Sequence, residues 1–234
     1  MKNNSYVFAS FLNHNIDSQR DVTWQANTDS VMHLIKSTID NGCKIKIFHN
    51  CFYKPPIIDN LEWVRVEPDK KYMPNVARWF HYKDYLSNHK EIESVFCVDS
   101  TDVKMLRNPF NEMEDDILYV GNECDMKVEN DWMKRNQEVL LSIPDYRKII
   151  KANREKTLIN CGLVGGNINI MKEYLDKLCD NHEKYSSDVG RSTDMAIFNY
   201  TIWKHFSDRI FSGEIVNTRF KYNETNEISW WKHK

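Results

Sequence analysis

Ser94-Val-Phe-Cys-Val-Asp-Ser-Thr-Asp-Val103 is the stretch on which the reading of this chain turns. Its opening run is near-continuously apolar, the pattern of a central strand covered on both faces, and it stops abruptly at Asp99-Ser-Thr-Asp102. In an open α/β sheet, ligands bind beyond the carboxyl ends of the strands. Two carboxylates at such an end face that crevice. Asp99 and Asp102, with Ser100 and Thr101 between them, offer hard oxygen ligands of the kind that Mg²⁺ or Mn²⁺ takes, with water and phosphate completing the shell. The expected partner of that cation is a diphosphate. The same four residues would also serve as a polar turn with helix-capping side chains.

Working outward, the chain alternates strand and helix signals. Tyr6 to Asn13 reads as a first buried strand and His14 to Thr23 as a loop. Asp29 to Asn41 carries Val31, Met32, Leu34, Ile35 and Ile39 at helical spacing and closes on Asn41-Gly42. Cys43 to His49 and Trp63 to Glu67 read as strands. Met73 to Leu86 reads as a helix with Pro74 in its first turn. Ile117 to Gly121 and Thr157 to Val164 supply further strands, and Tyr174 to Leu178 and Met195 to Phe206 lie in helical segments. This alternation predicts an α/β open sheet flanked by helices. No repeat, linker or composition break divides the chain, so one domain over 1–234 is expected.

Composition narrows the function. The 234 residues carry 32 Lys and Arg against 34 Asp and Glu, a net charge of −2 that argues against holding nucleic acid by bulk charge. The 7 Trp, 11 Tyr and 11 Phe imply a packed core, not a disordered chain. The apolar run from Tyr6 to Leu12 is too short for a signal peptide or a membrane span, and no run of about 18 apolar residues occurs. Six cysteines show no Cys-x-x-Cys spacing, so reduced thiols in the cytoplasm are expected.

Val98-Asp-Ser-Thr-Asp-Val103, followed by Leu106-Arg-Asn-Pro-Phe110, resembles the metal-binding segment of GT-A-fold glycosyltransferases. Their Asp-x-Asp motif, or a variant, ends a central strand and binds metal and nucleotide sugar. Asn160-Cys-Gly-Leu-Val-Gly-Gly166 resembles their acceptor-side Asn-x-Gly segment. Ser192-Thr-Asp-Met-Ala-Ile-Phe-Asn199 resembles the helix start where an acidic residue faces the reacting sugar, with Met195 where Gln is common. Pro74-Asn-Val-Ala-Arg78 sits where that fold often places a basic residue near the donor. The chain resembles small viral and bacterial members, including those of large algal DNA viruses, more than Golgi ones, which implies a cytoplasmic protein, in the host cytoplasm for a viral member. It implies a Rossmann-like mixed sheet with a donor half at about 1–103 and an acceptor half at about 104–234.

The implied reaction is transfer of a sugar from a nucleotide diphosphate donor, UDP-linked in the commonest form, to a glycan hydroxyl, with Mn²⁺ or Mg²⁺ as cofactor. Asp99, Asp102 and a C-terminal His233 would hold the metal. For His233 the alternative is a frayed basic terminus with Lys232 and Lys234. Ser10, Phe11, Asn13, Asn75, Arg78, Asp99, Ser100 and Thr101 would line the donor, and Asn160, Gly162 and Gly165 the acceptor. Asp194 is the candidate base or electrostatic support, or else a helix cap. Glu123 is the rival base, or a solvated loop residue. The three glycines at 162, 165 and 166 would serve close approach to a sugar or a hairpin turn. Trp132, Trp230 and Trp231 would stack on sugar or pack the core. Two other readings remain, a sugar nucleotidyltransferase and a non-catalytic glycan-binding module. The first usually needs a Gly-rich loop after strand one, and Asn13 to Arg20 contains no Gly.

Overall fold

Ser94–Val98 forms strand β4, and its alternate residues enter two different cores. Val95 and Cys97 join one face with Phe8, Trp79, Tyr82, Tyr174 and Phe198, while Phe96 and Val98 join the other with Val7, Ala9, Leu34, Leu163 and Trp231. The apolar run Val95–Val98 is therefore buried from both sides, as its sequence predicts. The computed structural model describes residues 4–16, 22–186, 193–219 and 224–233. Residues 17–21 of the expected loop, Ser192 and Lys234 lie outside them.

The main sheet comprises β1 (Ser5–Phe11), β2 (Lys44–His49), β3 (Leu61–Arg65), β4, β6 (Leu118–Lys127), β7 (Thr157–Asn167) and β8 (Ile210–Phe211). Their order is β3-β2-β1-β4-β7-β6-β8. β1 is parallel to β2 and β4, β2 to β3 and β6 to β8, whereas β7 runs antiparallel to both β4 and β6. The result is an α/β, mixed, open sheet of Rossmann-like form. One sheet takes strands from both of the expected halves, joined where β4 meets β7.

Helices α2 (Pro74–Asn88), α5 (Ile168–Tyr185) and α6 (Asp194–His205) supply Trp79, Tyr174 and Phe198 to the first core. Helix α1 (Asp29–Asp40) supplies Val31, Leu34 and Ile35 to the second. The short α3 (Asp131–Asn136) and α4 (Pro144–Ala152) add Met133, Tyr146 and Ile150 to the first core. A separate two-stranded sheet pairs β5 (Val103–Met105) with β9 (Trp231–His233).

Three local expectations are corrected. The glycines of 162–166 form no hairpin turn; β7 runs straight through them, and α5 starts without a loop because Asn167 ends the strand and caps the helix, accepting from Ile170 N at 3.1 Å. Glu123 is no solvated loop residue, since β6 continues through it to Lys127. The tail is not frayed. β9 is docked, with Trp230 and Trp231 buried against Phe96 at centroid distances of 6.4 and 5.0 Å. Those two tryptophans pack the core and offer no face to a sugar. All six cysteines are free thiols, and among the described residues no helix is long and apolar enough to cross a membrane.

Candidate metal and nucleotide site

Asp99 and Asp102 follow β4 directly, where the strand's hydrogen bonding hands over to β7: Asp99 N donates to Gly162 O at 2.9 Å. Val103, the next residue, begins β5 and pairs with His233 of β9. That pairing carries the C-terminus back to the end of the central strand. Further backbone bonds hold it there, Leu106 N to Trp230 O at 2.8 Å, Trp231 N to Val216 O at 3.1 Å and Thr218 N to Trp231 O at 3.0 Å.

The outcome is a cluster of Asp99, Asp102 and His233, each offering a ligand atom within 4.8 Å of the others. His233 Nε2 lies 3.8 Å from Asp99 Oδ2 and 4.0 Å from Asp102 Oδ1. These separations are too long for hydrogen bonds. They match two ligands that each reach about 2.1 Å to one shared cation, whose separation cannot exceed about 4.2 Å. The two carboxylates are donors of the kind Mn²⁺ or Mg²⁺ takes, and the imidazole is one shared with Zn²⁺ and Fe²⁺, so the set fits a divalent cation without selecting one. Gly162 leaves the room: a Cβ there would stand 2.6 Å from Asp99 Oδ2 and 2.7 Å from His233 Cε1. The residues present fit a divalent cation.

Beside the cluster opens a cavity of about 120 Å³ whose lining includes Ser10, Phe11, Trp24, Asn75, Thr101 and Cys161 together with Arg78, Asp99, Asp102 and Asp194. Ser100 Oγ donates to Ser10 O at 2.8 Å, tying the ends of β1 and β4 together at its mouth. Phe11 stacks on Phe52 at 5.0 Å and meets Trp24 edge-on at 6.4 Å, so the wall near β1 is aromatic.

Arg78 is 6% exposed, a buried cation. Its guanidinium donates to Asp99 Oδ1 and, at 3.1 Å, to Cys161 O, and lies 3.6 Å from Asp194 Oδ2. Burial opposes its charge, but Asp99 and Asp194 outweigh that and hold its pKa well above the ordinary value. Asp194 is 0% exposed. It accepts from Trp79 Nε1 at 3.1 Å and Cys161 Sγ at 3.4 Å, and His182 Nε2 lies 3.5 Å away. Thr193, not Asp194, holds the N-cap position of α6.

On the other side of Gly162, Asn160 links two groups. Its amide donates to Glu123 Oε1 at 2.5 Å, and its Oδ1 accepts from Gly162 N at 2.6 Å. Glu123 is 8% exposed, and burial pushes its pKa up, against the Asn160 hydrogen bond and the His233 charge.

Most expected site residues therefore converge: Ser10, Phe11, Asn75, Arg78, Asp99, Ser100, Thr101, Asp102 and Asp194 on the cavity, and His233, Gly162, Asn160 and Glu123 around the cluster. Two do not. Gly165 sits under the Phe96 ring, 2.3 Å from where its Cβ would be, and belongs to the core. Asn13 turns its amide to Trp24 O at 3.3 Å and its N–H to Asn50 Oδ1 at 3.0 Å, so it shapes the loop and lines no part of the cavity. Arg78 points inward onto carboxylates, not toward an open phosphate position. Sequence reasoning missed Trp24, Trp79, Cys161 and His182 as site neighbours; a lone aromatic, thiol or imidazole at these positions has no spacing signal. No protein-family model matches the chain, and no curated protein sequence matches it.

Proposed function

We propose that this protein is a divalent-cation-dependent glycosyltransferase that takes its sugar from a nucleoside diphosphate donor. The observation that carries the reading is the convergence of Asp99, Asp102 and His233 at the carboxyl end of the central strand, beside a cavity with an aromatic and hydroxyl-lined wall. A bound Mn²⁺ or Mg²⁺ would supply Lewis-acid stabilisation of the charge that develops on the leaving diphosphate.

The chain's own groups do the rest. Asp99, Asp102 and His233 bind the cation, and Gly162 keeps the space beside them clear. Phe11 and Trp24 offer apolar faces for a nucleobase, and Ser10, Ser100 and Thr101 offer backbone and hydroxyl groups for ribose. Asn160 fixes Gly162 against the cluster and orients Glu123, the buried carboxylate on the acceptor side.

The test is incubation of the full chain with a panel of nucleoside diphosphate sugars and Mn²⁺, following release of the nucleoside diphosphate. Release is expected to require the cation, to stop with EDTA and to fall about 10³-fold in Asp102→Ala. Cation-dependent nucleotide binding without any release or transfer would overturn the enzymatic reading in favour of a binding module. Pyrophosphate formed from a nucleoside triphosphate and a sugar phosphate would mark a nucleotidyltransferase instead.

A further inference from the structure

Asp194 resembles a catalytic base in sequence, yet its surroundings suit another task. Both oxygens are engaged: Oδ1 by the Trp79 indole and, at 3.5 Å, by His182, and Oδ2 by the Cys161 thiol and, at 3.6 Å, by Arg78. A base must present a lone pair within about 2.6–3.2 Å of an incoming hydroxyl, and a carboxylate that is 0% exposed and ringed by donors does not.

Arg78 poses the complementary problem. It is buried in direct contact with Asp99, a cation-cluster residue. Were Asp99 its only counter-charge, the pair would be neutral and Asp99 a poor ligand for a dication. A second carboxylate against the same guanidinium restores the balance, and with Asp102 the group then carries two net negative charges, matching a divalent ion.

We propose that Asp194 is a positioning residue, a buried counter-ion that balances Arg78 and so leaves Asp99 charged for a divalent cation. It acts through Arg78 and not on substrate. The proposal rests on the cation-site reading above and replaces the sequence expectation of a base at this position.

Mn²⁺ titration calorimetry on the full-length wild type, Asp194→Asn, Arg78→Met and Arg78→Met/Asp194→Asn tests it. Asp194→Asn, nearly isosteric, is expected to weaken Mn²⁺ binding at least tenfold, because an unbalanced buried cation then faces the site at close range. The double variant, with the cation gone too, should return to within about threefold of wild type. Such a rescue would not arise from a merely structural role. Arg78→Met alone should bind Mn²⁺ at least as tightly as wild type, a result that does not depend on Asp194→Asn folding. Unchanged Mn²⁺ affinity in Asp194→Asn together with lost turnover would overturn the proposal and make Asp194 the base. Equal weakness in the single and double variants, or weaker binding by Arg78→Met, would overturn it as well. Wild type that binds no Mn²⁺ would overturn the cation-site reading itself, and the proposal with it.

Discussion

Asp102 and Asp194 are the same residue type on the same cavity, and the fold uses them in opposite ways. Asp102 follows the strand end, with His233 Nε2 4.0 Å from its Oδ1 and its side chain 10% exposed. Asp194 lies in the core, with Arg78, Trp79, Cys161 and His182 around it. A carboxylate at a strand's mouth can exchange water for a ligand. One sealed among donors cannot, and its charge is spent on holding its neighbours. What divides binding from support here is the ring of donors that Asp194 meets, not the carboxylate itself.

The sharpest way to break this comparison is to delete each carboxylate. Asp102→Ala is expected to cost about 10³-fold in cation-dependent turnover, the scale of a lost Lewis acid worth several kcal/mol, while leaving the urea midpoint close to wild type. Asp194→Ala should show the reverse emphasis in the same two assays. Removing one partner of a buried ion pair costs about 3–5 kcal/mol, read as a lower urea midpoint, because Arg78 and the Trp79 indole lose a buried partner. If Asp194→Ala matched wild type in stability, or Asp102→Ala unfolded as readily as Asp194→Ala, the division between the two carboxylates would fail.

Part of this arrangement was legible in the sequence. The non-alternating run Ser94–Val98 and its sudden end at Asp99 locate the central strand and the site together, because burial on both faces leaves a pattern that polarity alone reports. The Asp29–Asp40 helix is readable from its helical spacing, and β1 and β2 from short β-rich runs. The rest is non-local. β5 and β9 are three residues each, too short for periodicity, and their pairing, which brings His233 to Asp102, is visible only once the chain has folded. Gly162 and Gly165 look alike in sequence, yet one clears space for the cluster and the other for the Phe96 ring. Arg78 reads as a donor-side cation and Asp194 as a base or a helix cap because nothing local says that Asp99 and Asp194 meet on one buried guanidinium. Local signals place elements; the burial of single polar groups depends on partners far along the chain.

That pair of glycines gives a finer cut at the same comparison. Gly162→Ala puts a methyl 2.6 Å from Asp99 Oδ2 and 2.9 Å from Asn160 Oδ1, and Gly165→Ala puts one against the Phe96 ring. Each overpacking is expected to cost about 1–3 kcal/mol. The two should part company on calorimetry: Gly162→Ala should lose at least tenfold in Mn²⁺ affinity, and Gly165→Ala should keep the affinity of wild type in whatever fraction is folded. Equal loss of affinity in both would mean that the cluster answers to general strain and not to the space at Gly162.

The smallest effect concerns Glu123, which is buried and, among the described residues, hydrogen-bonded through the Asn160 amide. Burial raises its pKa above the ordinary 4.5, with the Asn160 hydrogen bond and the His233 charge pulling it down and Asp99 pushing it further up. The folded chain therefore holds this proton more tightly than the unfolded chain does. By linkage, stability from this group is present below the ordinary carboxylate range, falls as pH rises from 4.5 through the folded value, and stays lost above it. Glu123→Gln keeps the shape and the acceptor oxygen for Asn160 but carries no charge to bury. Its Tm is expected to equal that of wild type at pH 4 and to exceed it at pH 8, with the difference growing across the interval in between. A difference that is flat with pH would show that folding leaves its pKa unshifted, and one that shrinks as pH rises would show that Glu123 is stabilised as a carboxylate; either outcome would break the reading of Glu123 as a carboxyl that burial opposes.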